Sequence, residues 1–590
     1  YIIMGMKKYP KKLRAVIWMA VFLFFLLPFS SVSADVLGQN ETFFVNSKFD
    51  DQSETSLSAT LRQISDLSHI YIEDGYWNGL NSNARNQLIS QIVDLSNEFD
   101  DRIHPILTEA FGSEPNPGVD GDPKITILLA PLKSNIGGYF DTSNQYPKRL
   151  VPQSNEREMI YLNISSLSDS QKINSFLAHE FQHLISFNHK ELSQNVAEDV
   201  WLNEVRSEYA VTIMGYNDEF VGSHLEMRMN ALLRDPSDSL TEWKNEAADY
   251  GQIGLFGEYI ADRYSPDILT ESIKGPLVGI PSINQALAQK GFSENFEDVY
   301  SNWLIANVIN DISLGDKFGF SRDDLDRFKV TPNNIFLNVS DGGNISTTDN
   351  FKDWQGKWYD IVQFGAGNNR FLEIEFTSPS LTSFYIPYVI FNSDGTVRSA
   401  IFKPGPQTDT LTVGDIGSEV TRVIFMPVKK DRLKGFTAEE STVSLTSNIK
   451  RVASSTNEMA VPKEPEVMPD IQAPILNLPD GSLIRAEGDT KVYVINGSWR
   501  RHIPSPRVFD FYPHLGFDKV KVVSRAEADQ YQDSNLIRFD ERVYSLESGQ
   551  RRWLNISGEQ FSASSRAWDA VFRVNELELN FYPVGSNITQ

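Results

Sequence analysis

At 590 residues, with 41% hydrophobic and 22% charged side chains, the chain is too long for one core and too apolar to be disordered, so several folded domains are expected. A formal net charge of -24 argues against a nucleic-acid backbone as partner, because that binding needs clustered cations. There is no cysteine, which excludes disulfides, thiolate metal sites and cysteine nucleophiles, and leaves His, Asp and Glu as the strong metal ligands.

The N-terminus has the layout of an export signal. Lys7, Lys8, Lys11, Lys12 and Arg14 precede an apolar run from Ala15 to Leu27, which is too short to span a bilayer comfortably. Val32-Ser33-Ala34 then offers small residues for cleavage, so 1–34 is expected to be a signal peptide and Asp35 the mature start; the alternative is an uncleaved signal anchor. Removing those five cations, with no acid among them, takes the charge from -24 to -29. No later segment is apolar enough for a membrane span, so a secreted protein without a stable membrane span is expected.

Residues 35–332 read as one α+β domain, a mixed sheet followed by mainly helical sequence. Leu88 to Phe111 has helical spacing with a break expected at Pro105. Ile125–Leu129 follows the Asp120-Gly121-Asp122 turn as a strand, and Met159–Leu162 is another. Asp120 and Asp122 could hold a Ca2+ ion with nearby carbonyls, although two carboxylates fall short of a calcium-loop signature and a simple turn suffices. Helices are expected at Ile173–Phe187, Val200–Met214 and Ala248–Tyr264.

After residue 333 short β-rich runs recur, with a hairpin turn at Asn392-Ser393-Asp394-Gly395, and 333–450 reads as an all-β sandwich. Residues 451–478 form a Pro-rich linker. The tail repeats itself: Leu483-Ile484-Arg485, Val492-Tyr493 and Arg500-Arg501 return as Leu536-Ile537-Arg538, Val543-Tyr544 and Arg551-Arg552. Two copies of one small module are expected, 479–535 and 536–590. They are candidates for attachment to a cell surface or polymer through Arg500, Arg501, Arg551, Arg552 and Trp553, which could equally be ordinary strand residues.

The chemistry concentrates at His179-Glu180-Phe181-Gln182-His183. On a helix, positions i and i+4 share a face, so both imidazoles can reach one Zn2+ at about 2.0–2.1 Å. Glu180, one residue on, is placed to deprotonate a metal-bound water. Two third ligands compete. Glu204 shares a helical face with Glu208, so one can bind the metal while the other accepts the outer N–H of a metal-bound His. His189 lies six residues after His183, as in metzincins, but Ser186 stands where their turn needs Gly; Glu204 is therefore preferred.

His179–His183 followed by Asn203-Glu204-Val205-Arg206-Ser207-Glu208 resembles the gluzincins, the thermolysin-type superfamily. With Gly137-Gly138-Tyr139-Phe140 upstream and Trp201-Leu202 before Asn203, the pattern is similar to hyicolysin-like secreted bacterial metallopeptidases over roughly 90–310. The resemblance implies a zincin-type catalytic domain, one catalytic Zn2+, protein or peptide substrates, a supporting role for Asn203, and Tyr250 as donor to the oxyanion of the transition state; His224 is the other candidate donor. Val205-Arg206 departs from the family pattern, and Arg206 is expected to influence substrate preference. Gly138 and Tyr139 are expected to form an edge strand that pairs with an extended substrate, or else a flexible loop.

The expected function is secreted zinc-dependent endopeptidase. One alternative is a zinc aminopeptidase, although no Gly-x-Met-x-Asn-type exopeptidase motif precedes His179. Another is a surface adhesion or wall-binding protein with an inactive peptidase domain, against which the intact ligands and base count.

Overall fold

The computed structural model describes residues 35–590 except 338, 341, 363, 365–366, 456–477, 479, 487–490, 513–515, 517–518, 529, 541, 548, 558–559, 562–565 and 589–590. The expected signal peptide and nearly all of the expected linker lie outside the described residues. The chain divides into two compact units, the first running to His189 with Ile213–Tyr216 added, the second taking Lys190–Thr212 and everything from Asn217 on.

The first unit is built on a six-stranded mixed sheet, β1 (Asn40–Phe44), β2 (Ser56–Ile64), β3 (Ser68–Glu73), β4 (Ile125–Ala130), β5 (Gly138–Phe140) and β6 (Met159–Asn163), in the spatial order β1-β2-β3-β4-β6-β5. β3, β4 and β6 run parallel, and β5 closes the edge antiparallel to β6. β4 and β6 are buried at every position, which is why they read as unbroken apolar runs. β2 carries a bulge, because Leu61 pairs with Tyr71 and Gln63 with the adjacent Ile70, leaving Arg62 as the extra residue.

Helices α1 (Asp74–Gly79), α2 (Ser82–Glu98) and α3 (His104–Phe111) fill the stretch between β3 and β4. Pro105 does not break a helix here. It occupies the first turn of α3, where its missing N–H costs nothing, and the irregularity lies before it as a π-turn over Phe99–Ile103. Gly112 ends α3 at φ 94, a conformation that favours glycine. α4 (Ser170–Phe187) follows β6; Asp169 caps it by accepting from the Lys172 N–H at 3.1 Å.

The second unit opens with α5 (Val200–Ile213, of which only the last residue belongs to the first unit), α6 (His224–Arg234), α7 (Ala247–Arg263), α8 (Pro266–Ser272), α9 (Ile280–Gln289) and α10 (Phe296–Ile309). α6 and α7 approach closely at Gly251, where a Cβ would lie 2.6 Å from the Leu232 backbone N. Ten strands follow: β7 (Asn334–Leu337), β8 (Asn344–Phe351), β9 (Tyr359–Val362), β10 (Phe371–Thr377), β11 (Phe384–Asn392), β12 (Val397–Phe402), β13 (Thr408–Val413), β14 (Val420–Phe425), β15 (Val428–Lys429) and β16 (Val443–Val452). They form two sheets, β13-β10-β16-β8 and β12-β11-β14-β9-β7, that share one apolar core including Ile374, Phe376, Ile390, Val423 and Phe425. Trp358 Nε1 donates to the Leu304 carbonyl of α10 at 2.8 Å, and Tyr300 of the same helix donates to the Trp354 carbonyl at 2.6 Å.

In the tail, β17 (Leu483–Ala486) pairs antiparallel with β18 (Val492–Asn496) and parallel with β20 (Val520–Val523), and β18 pairs antiparallel with β19 (Trp499–Ile503); β21 (Gln532–Asp533) is parallel to β19. β22 (Leu536–Phe539), β23 (Arg542–Glu547), β24 (Gln550–Trp553) and β25 (Phe572–Arg573) make the corresponding pairings, β22 with β23 and β25, β23 with β24. Arg501 is buried against Glu578 at 2.8 Å and so presents no charge to solvent.

One buried carboxyl in the first unit makes its stability pH-dependent. Glu158, just before β6, accepts from the Val119 N–H at 2.9 Å through Oε1, while its Oε2 is buried with no partner among the described residues. Burial first, then the nearby Asp120 charge, pushes its pKa from 4.5 up to about 7. A raised folded-state pKa gives stability that is complete below the unfolded value of 4.5 and is lost as pH rises through about 7. Glu158→Gln is therefore expected to stabilise this unit by about 2–3 kcal/mol at pH 8 and to change it little at pH 4. Hydrogen-exchange protection of the β4 and β6 amides reads this out, and an equal effect at both pH values would contradict it.

Candidate metal centre

α4 is buried along most of its length, from Leu177 through Phe187 without interruption. His179, Glu180 and His183 are each less than a tenth exposed. Their apolar neighbours Phe181, Leu184 and Ile185 anchor the helix in the first unit's core, with Phe181 edge-on to Phe99 at 5.0 Å. The sequence periodicity thus fixes which side of α4 carries the imidazoles.

The Nε2 atoms of His179 and His183 lie 3.2 Å apart. Two ligands on a tetrahedral ion at about 2.0–2.1 Å should be separated by about 3.3 Å, so this spacing fits a shared zinc ion. A carboxylate oxygen of Glu204, on α5, completes the group: one ligand atom from each of the three residues lies within 4.8 Å of the others. Among the described residues this is the one such group of His, Asp and Glu. Two imidazoles and one carboxylate without any thiolate are a ligand set that zinc takes when a fourth position is left for water.

β5 lies against α4 beside the candidate base. A Cβ on Gly138 would come within 3.2 Å of Glu180 Cγ, and one on Gly137 would collide with the Phe176 ring. The glycine pair is therefore what permits the edge strand to approach the helix. The Tyr139 ring is turned inward. It is 6% exposed, stacks on Tyr161 at 4.2 Å and accepts from the Asn46 N–H through its hydroxyl. Its side chain is therefore committed to the core of the first unit.

Glu208, one turn after Glu204, is held by Arg228 of α6 through two bonds, Nε–Oε2 at 2.8 Å and Nη2–Oε1 at 2.7 Å. Such a fork fixes the carboxylate's plane as well as its position. Arg228 in turn lies 4.4 Å above the Tyr250 ring. Arg228 was missed in the sequence because nothing in the motif pattern marks a cation on a separate helix. The Tyr250 hydroxyl donates to Asn245 Oδ1 at 3.0 Å, and its ring meets Trp243 edge-on. Asn203 precedes Glu204 with its Oδ1 buried and without a partner among the described residues. His224 opens α6, whose cap is the Ser223 hydroxyl.

One expectation is corrected, and two alternatives to the preferred readings find no support. Arg206 does not face a cleft: it is fully buried, with its guanidinium on Ser272 Oγ at 3.0 Å and Glu198 Oε2 at 2.8 Å. Asp120 and Asp122 close turns, accepting from the N–H groups of Asp122 and Lys124 at 2.9 Å, and join no ion-holding group among the described residues, so calcium has no support. His189, the rival third ligand, stands outside the metal group. It lies over Gly112, where a Cβ would collide with its ring.

No family model matches the chain. Over 211 residues it is 30% identical to the Neutral metalloprotease ShpI of Staphylococcus hyicus, covering 31% of this chain and 46% of that protein. The chain thus spans about half the length of the curated relative it matches, and the likeness supports a metalloprotease relationship. A solved family GH115 4-O-methyl-alpha-glucuronidase aligns over 56% of this chain and 52% of its own at 10% identity, with a TM-score of 0.12, which carries no argument about the fold.

If the three residues form one site, His183→Ala and Glu204→Ala should each lower the zinc content of dialysed full-length protein from about one equivalent to well below half, while His189→Ala leaves it unchanged. Metal analysis checks this. Zinc lost only from the His189 variant would transfer the third ligand to that residue.

Proposed function

We propose that this chain is a secreted, zinc-dependent endopeptidase. The reading is carried by one observation: two imidazole nitrogens 3.2 Å apart on a buried helix, with the Glu204 carboxylate in the same group and Glu180 next along the chain. When bound, zinc lowers the pKa of a water towards 7 and polarises the scissile carbonyl.

The side chains divide the remaining work. Glu180 accepts the proton of the attacking water and delivers it to the departing amine. Its burial, together with the close approach of Gly138, keeps bulk water from competing for that proton. The outer edge of β5 receives an extended peptide through the outward backbone groups of Gly138, while Tyr139, whose backbone pairs with Tyr161 of β6, holds the strand in place. Tyr250 is the proposed donor to the oxyanion, with His224 as the alternative. Glu208, clamped by Arg228, and Asn203 support the metal ligands on α5. Export is supported by the basic and apolar N-terminal sequence; among the described residues no helix is long and apolar enough to cross a membrane. Attachment to a cell surface or polymer is proposed for the tail modules, where Arg500 lies over Tyr493 at 4.8 Å and Arg542 over Trp553 at 4.8 Å.

Glu180→Gln is expected to keep its zinc and to lose casein hydrolysis by about 100-fold or more. Wild-type protein should cleave peptides blocked at both ends, which an aminopeptidase cannot do. Full activity in the variant, or cleavage restricted to free N-termini, would overturn the mechanism or the endopeptidase assignment respectively.

A further inference from the structure

A surface groove of about 560 Å³ in the first unit is lined by Leu37, Leu61, Arg62, Trp77, Arg85 and Ile89, among others. Two guanidinium groups converge there on one indole, Arg62 at 4.1 Å and Arg85 at 5.3 Å from its centroid. Arg62 is the extra residue of the β2 bulge, the device by which a strand re-aims a side chain. Arg85 ends the first turn of α2, against the helix dipole, in a turn with no acidic residue.

The two charges are poorly neutralised. The nearest carboxylate to Arg62, Asp74, is 3.9 Å away and already accepts from Asn40, Ser58 and Thr60 at 2.6–2.7 Å. Arg62 Nε is buried with no partner among the described residues, and burial followed by the Arg85 charge lowers its pKa. Arg85 spends its Nε and Nη2 on the Trp77 and Asn78 carbonyls. The groove thus sets two guanidinium groups beside an apolar wall, on a chain whose net charge is -24.

We infer that this groove binds a peptide carboxylate flanked by apolar side chains, the guanidinium groups of Arg62 and Arg85 taking the carboxylate and Leu37 and Ile89 the apolar neighbours. With Arg62 Nε buried and Arg85 Nε and Nη2 given to carbonyls, the carboxylate would meet the terminal guanidinium nitrogens rather than a side-on fork, and the apolar wall rewards a peptide over a bare ion. The carboxylate can come from an acidic side chain or a free C-terminus. The site is separate from the metal centre, and its occupancy does not depend on the peptidase reading.

The test is calorimetric titration of full-length Glu180→Gln protein. The probes are a Glu-Leu-Glu-Leu peptide blocked at both ends, a Gln-Leu-Gln-Leu peptide with a free C-terminus, the same Gln peptide amidated, and sodium phosphate. Binding of either carboxylate-bearing peptide is expected, and which one binds identifies the source. Adding Arg62→Met or Arg85→Met, which keep a stem against Trp77, should weaken it about 10-fold or more. Raising NaCl from about 0.05 to 0.5 M should weaken wild-type-groove binding too, and this decides the matter if either variant fails to fold. Unchanged affinity in both folded variants, equal binding of the amidated Gln peptide, or phosphate binding as tightly as the peptides would overturn the proposal.

Discussion

Two imidazole nitrogens face each other at 3.2 Å on a buried helix, a spacing at which the rings can share either a proton, one ring donating to the other, or a metal ion. A cation takes a lone pair from both rings at once, and the carboxylate in the same group supplies the countercharge. The surroundings of α4 suit that second arrangement: a helix held by apolar neighbours, Glu204 in the same group, and an edge strand close beside Glu180.

The support around this centre is electrostatic on one side and steric on the other. On α5, the Arg228 fork holds Glu208 one turn from Glu204, so neither carboxylate faces burial without a cation in view. Further along, the buried Arg206 ties α5 to Glu198 and Ser272, and the buried Lys190 ammonium donates to the carbonyls of Ser272, Gly275 and Leu277. These cations act as internal clamps on the segment leading into α5. Beside α4, the absence of side chains at Gly137 and Gly138 sets how near β5 can come.

The candidate metal group is legible in the sequence because its signal is a spacing: His at i and i+4 on a strongly apolar helix, then two glutamates one turn apart. The parallel strands β4 and β6 were legible for the same reason, as continuous apolar runs. Arg206 was misread although the helix contradicts it. It lies two residues after Glu204 and so on the opposite side of α5, where a cation next to a motif becomes a structural clamp. Arg228 could not be found from spacing, since it comes from a separate helix and acts through Glu208. In β2 the bulge at Arg62 interrupts the alternation that marks a half-buried strand, so its pattern is weak in the sequence.

The most direct test of the central claim is crystallographic anomalous scattering at the zinc edge on zinc-loaded, full-length protein. The account predicts one strong peak about 2.0–2.1 Å from Nε2 of both His179 and His183 and about 2.0–2.2 Å from a Glu204 oxygen. A peak elsewhere, or one held by the two histidines with Glu204 turned away, would contradict it.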